Sequence, residues 1–176
     1  MPTESDTIEL SEHELREITG YAAACARRAL PIFEQGTSVD PRPREAIDAA
    51  DEFAAGGRRT TALRQSAWAA YKAAGEAGSP AAADAARAAS HAAAAAFLHP
   101  KASAHQVKHI LGAAAHAARA EELESGEDGV TGSTLEWARH HAPAAVGAVL
   151  GRLPAAPSGG GRVGEHIRDL DAVLRT

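Results

Sequence analysis

The stretch "SPAAADAARAASHAAAAAFLHP", residues 79–100, decides the fold class. Ser79 is a helix cap, Pro80 suits the first turn where its missing N–H costs nothing, and Pro100 ends the run. Alanine has the strongest helix propensity and almost no side-chain entropy to lose, so the stretch between them is a helix. A helix with so few large side chains packs closely against its neighbours and buries little area per residue. An alanine-dominated core of this kind means helices packed close together.

Outward from it the same period recurs. Thr60 or Thr61 opens a helix with Leu63, Ala67, Ala70 and Ala74 on one face, ended by Gly78. Pro43 to Ala55 forms another, burying Ala46, Ile47, Ala50, Phe53 and Ala54. Ser11 and Glu14 spell a capping box before a stripe of Leu15, Ile18, Ala22, Cys25 and Ala29. Downstream, "SAHQ" from Ser103 reads as a second capping box, followed by Val107, Leu111, Ala114 and Ala118. "ELESGEDGVTGS" is acidic, glycine-rich and unpatterned, an exposed loop. A sixth helix carries Leu135 and Trp137, breaks near Pro143 and continues through Val146, Val149 and Leu150.

No β-type alternation persists. The expectation is an all-α protein: a single compact helical bundle of about six to seven short helices. Residues 1–9 read as a disordered N-terminus and 10–153 as the helical domain. "PAAPSGGGR", 154–162, has the composition of a flexible linker, and 163–176 forms a C-terminal amphipathic helix. That last stripe of Val163, Ile167, Leu170 and Leu174 needs a partner surface, and a second copy in a homodimer is one candidate.

A net charge of −5 and scattered arginines argue against a nucleic-acid partner. No apolar run approaches the roughly 20 residues that cross a bilayer, and "MPTESDTIEL" has no signal-peptide character. The single Cys25 excludes an internal disulfide framework and a cysteine zinc site. The expectation is a cytoplasmic protein with no membrane partner, no metal and no cofactor.

Candidate chemistry lies in the histidines and one polar turn. His105, His109 and His116, at spacings of four and seven with Gly112 between them, share one face of the fifth helix. They suit a solvated face, a metal pair or a ligand-binding surface. His91, set among alanines, is expected to be buried or half-buried, and a buried imidazole needs a hydrogen-bond partner. It is either a satisfied core residue or one that faces the turn across a cleft. That turn, "VDPRPR" at 39–44, crowds Asp40, Arg42 and Arg44 around two prolines. Asp40 caps a helix or forms a site wall; the arginines, ill placed for the helix dipole, need specific partners such as Asp40 or an anionic ligand.

"DPRPREAIDAADEFAAG", "ARAASHAAAAAF" and "KHILGAAAHAA", in that order, resemble the Imm-5-like immunity protein family of small all-helical bacterial proteins. "LEWARHHAPAAVGAVLGRLP" is similar to that family's closing helix, and the resemblance spans roughly Leu10 to Leu153. It implies site residues at Asp40, Arg42, Pro43, Arg44, His91 and His109. Tyr71 and Phe97 stand where members often carry histidine, and Ser90 replaces a glycine.

Two functions follow from the resemblance and the residues. One is self-resistance: binding and neutralising a protein toxin or a toxic small molecule. The other is a small enzyme or ligand-binding protein of specialised metabolism. There Asp40, His91 and His109 do acid–base work, Arg42 and Arg44 anchor an anionic group, and Tyr71 and Phe97 line an apolar pocket.

Overall fold

The structure, a computed structural model, describes residues 6–36, 39–126 and 133–176. The described residues form α1 (Glu12–Gly36), α2 (Arg42–Ala54), α3 (Thr61–Glu76) and α4 (Pro80–Ala94), then α5 (His105–Ser125), α6 (Thr134–His141), α7 (Ala144–Gly151) and α8 (Gly161–Leu174). No strand occurs among them; a single antiparallel bridge joins Thr7 and Lys101. The described residues are all-helical, with eight helices against the six to seven expected, and the break expected near Pro143 separates α6 from α7. Proline disfavours helical backbone in the residue before it, and Ala142 is extended (φ −69°, ψ 127°).

The alanine-rich α4 sits at the centre, packed against α1, α2, α3 and α5. Its alanines 81–83, 85, 86, 88, 89, 92 and 93 are all buried, so it presents small side chains on nearly every side. The bulk comes from its neighbours: Ile18, Leu30 and Phe33 of α1, Phe53 of α2, Ile110 and Leu111 of α5. Each such burial contributes roughly 1.5–3 kcal/mol. A Ser90 hydroxyl donates to the Ala67 carbonyl at 2.8 Å and pins α4 to α3.

The caps follow the sequence in three places. Ser11 and Glu14 exchange their box hydrogen bonds (2.9 and 3.1 Å), Thr60 accepts from Leu63 N, and Ser79 accepts from Ala82 N. The box expected at Ser103 does not form. The Ser103 hydroxyl accepts from His105 N instead, and the Gln106 side chain is buried with its Oε1 unpartnered.

The chain ends are tied down. Ile8 N donates to Pro100 O at 3.1 Å and Ala102 N to Asp6 O at 2.8 Å, so residues 6–8 run beside 100–102. Residues 1–5 of the expected disordered N-terminus lie outside the described residues. In the 154–160 segment, linker-like in composition, three carbonyls accept from α8 and its cap: Arg168 donates to Pro157 and Gly159, and Arg175 to Pro154. The C-terminal helix finds its partner surface within the chain, burying Ile167 and Leu170 as α8 packs on α5, α6 and α7. Of the acidic loop, residues 127–132 lie outside the described residues. No described helix is long and apolar enough to cross a membrane.

Candidate functional site

Where α3, α4 and α5 diverge, they leave an open cleft of about 550 Å³. α3 contributes Arg64, Trp68 and Tyr71, α4 contributes His91, the 3-10 turn after it Phe97, and α5 His109. Trp68 and Tyr71 meet edge to face at 6.1 Å between ring centres and are 63% and 59% exposed. Large aromatics left in water beside a concavity mark a contact surface rather than a core. The Arg64 guanidinium lies over the Phe97 ring at 4.6 Å, a cation–π contact that holds one wall.

His91 forms the floor, and a glycine explains how. A Cβ on Gly112 would sit 2.5 Å from the His91 Nδ1, so only glycine lets the imidazole lie against the α5 backbone. Desolvation by the alanine-rich surroundings, reinforced by His116 and His109, pushes the His91 pKa down to about 3. The ring is therefore neutral near pH 7 and serves as both donor and acceptor. His109 is pushed below its ordinary value too, first by desolvation and then by His99, His105 and Lys108.

On the far side of His91 the geometry changes. The His116 ring stacks on His91 at 5.0 Å, and its Nδ1 lies 2.7 Å from Asp84 Oδ1. His116 and His91 line a second cleft of about 500 Å³ between α4, α5 and α8. The histidines that share a face of α5 thus part company: His109 opens to the aromatic cleft and His116 to the second one, while His105 is exposed and lines neither. Among the described residues no group of histidine, cysteine and carboxylate side chains is arranged to hold a metal.

The polar turn lies elsewhere. Arg42 donates from Nε and Nη2 to the Asp40 carboxylate (2.9 and 2.7 Å) and from Nη2 to Glu76 of α3 at 2.6 Å. Asp40 Oδ1 also accepts the Arg42 backbone N–H at 3.1 Å, a local turn that launches α2. Arg44 forks onto Glu34 of α1. The Arg42 guanidinium holds the Asp40 carboxyl below its ordinary value. Asp40, Arg42 and Arg44 clasp α1, α2 and α3, and none of them lines either histidine cleft. The convergence of Asp40 and Arg42 with His91 and His109 on one cavity does not occur.

Sequence reasoning passed over Arg64, Trp68 and Asp84. Arg64, Trp68 and Tyr71 fall at steps of four and three, about 100° around the helix from the buried stripe of Leu63, Ala67 and Ala70. That exposed aromatic stripe was the available signal.

Residues 7–145 match the model of a family described as "Imm-5 like putative immunity protein". The chain belongs to this Imm-5 like family. No curated protein and no solved structure matches it. In this Imm-5 like chain the matched residues carry the turn, the aromatic cleft, Asp84 and His116, whereas α8 lies wholly beyond them.

Proposed function

We propose that this Imm-5 like protein confers self-protection by sequestering a toxic small molecule in the cleft between α3, α4 and α5. One observation carries the reading: exposed Trp68 and Tyr71 stand at the edge of a concavity whose floor is a neutral, desolvated histidine. The volume of about 550 Å³ suits a ligand of drug size, since such sites span roughly 300–1,000 Å³. Apolar walls with a few polar groups favour a ligand with a ring system, stacked by the aromatics and oriented by His91 and His109. The family's immunity description supports the protective role. Acid–base catalysis by Asp40 has no place in this reading, because its carboxylate is held by Arg42 away from the cleft.

The reading is tested in a sensitive bacterial strain challenged with a small-molecule extract of the cells that naturally make the protein. The wild-type chain protects, and a Trp68→Ala, His91→Phe variant of unchanged expression does not. Equal protection by both overturns the proposal.

A further inference from the structure

The second cleft has its own pattern. On α4, Asp84, Arg87 and His91 fall at steps of three and four and form one polar stripe of an alanine-rich helix. On α5, Lys108, Gly112, His116 and Arg119 fall at steps of four, four and three. The two stripes face each other across the cleft, and α8 closes it with Arg162, Val163 and Ile167. In a protein of net charge −5, the described lining residues include Arg87, Lys108, Arg119 and Arg162, with Asp84 as the one carboxylate among them.

Two carboxylates stand behind this lining. Buried Glu122 takes Arg162 at 2.7 Å and lies 3.5 Å from Arg119, and Glu165 takes Arg162 at 2.8 Å. Glu122 also contacts His166 Nε2 at 2.8 Å, so it anchors the start of α8 to α5. These contacts hold Arg162 in place at the mouth. Arg87 lies 3.6 Å from Asp84, beyond the reach of a good hydrogen bond, and its side chain is 42% exposed. Asp84 fixes the orientation of the His116 ring through Nδ1, which leaves Nε2 as its remaining polar atom.

The backbone adds to this. Gly159, Gly160 and Gly161 all have positive φ (86°, 78° and 60°), conformations that only glycine adopts freely in succession. They turn the chain so that the first turn of α8 borders the cleft, where Gly160 and Gly164 belong to its wall. A helix start offers open N–H groups and a favourable dipole to an anion.

We infer that the cleft between α4, α5 and α8 is a second binding site, taking the oxyanion of a small ligand, a phosphate or carboxylate group, on Arg87, Lys108, Arg119 and His116. Guanidinium groups suit either oxyanion through forked hydrogen bonds. Because α8 lies outside the family match, one wall of this site is supplied by a part of the chain beyond the family's shared domain. The site stands apart from the proposed use of the aromatic cleft and, among the described residues, shares only His91 with it.

The test is histidine-ring NMR on the full-length chain, titrated with inorganic phosphate and, separately, acetate, at fixed pH and ionic strength. The His116 signal is assigned by comparison with His116→Gln. The expected result is a saturable shift of that signal at millimolar or lower ligand, weakened by about tenfold in Arg87→Glu. Arg87 is exposed enough for that variant to keep its fold, which circular dichroism checks. A response to phosphate over acetate assigns a phosphate group, and the reverse a carboxylate. Trp68→Ala, which disables the aromatic cleft, leaves the titration unchanged, so failure of one site does not mimic failure of the other. No saturable shift with either anion overturns the inference, as does a shift of equal affinity in Arg87→Glu.

Discussion

The Asp40–Arg44 turn and the aromatic cleft both concentrate polar groups, and they do opposite things with them. In the turn every charge is spent on a neighbour: Asp40 on Arg42, Arg42 also on Glu76, Arg44 on Glu34. In the cleft the polar groups are held in place without being used up, and two large aromatics stay in water. Crowded charge in a sequence therefore marks a clasp as readily as a site. What separates the two is whether the folded chain already satisfies the groups, and only packing decides that.

The sharpest way to break this contrast is Gly112→Val. Its side chain would occupy the space of the His91 ring, so it deforms the cleft floor and overpacks α4 against α5. The expected cost is about 1–3 kcal/mol of stability, read as a melting temperature several degrees lower, together with loss of ligand retention. Trp68→Ala separates binding from stability. The residue is exposed, so stability should change by no more than about 0.5 kcal/mol, while ligand affinity falls by roughly tenfold or more.

Acid provides a third probe. The folded chain protonates His91 only near pH 3, whereas the ordinary value is 6.5. Below pH 6.5 the unfolded chain takes up a proton that the folded chain refuses. His91's contribution to stability is thus complete above that pH and is lost progressively as pH falls towards about 3. The Asp40 carboxylate, held by Arg42 below its ordinary value, loses its contribution in a more acidic range. Melting curves at about pH 7.5 and pH 5.5 should show a drop for the wild type that is smaller for His91→Gln; an equal drop removes His91 as its source. The smallest effect belongs to the clasp. Arg42→Ala loosens α2 from α3 and costs about 1 kcal/mol or less, as surface ion pairs do, and it leaves the cleft ligand in place.

The helices were legible because they depend on local chemistry. Ser79 with Pro80, Thr60 and the Ser11–Glu14 box mark starts that the structure repeats, and the alanine run reads as a helix, although its place at the centre emerges only from the packing. Ser103 misled because Gln106, which should have reached back to it, is drawn into the core instead. The glycine-rich 154–162 segment read as a linker because composition does not reveal that Arg168 and Arg175, from the next helix, fold back onto its carbonyls. At the clefts the residue types were legible and their grouping was not. His109 and His116 share a helix face, yet the His91 ring wedged over Gly112 sends them into different cavities. Asp84 looked like one more polar residue in an alanine helix until α5 brought His116 to it.

Native mass spectrometry of the chain recovered from the cells that naturally make it, beside Trp68→Ala and Arg42→Ala, tests the central claim directly. A stoichiometric small molecule is expected on the wild type and on Arg42→Ala, and none on Trp68→Ala. A bound molecule retained by Trp68→Ala but lost from Arg42→Ala would contradict it, as would three bare chains.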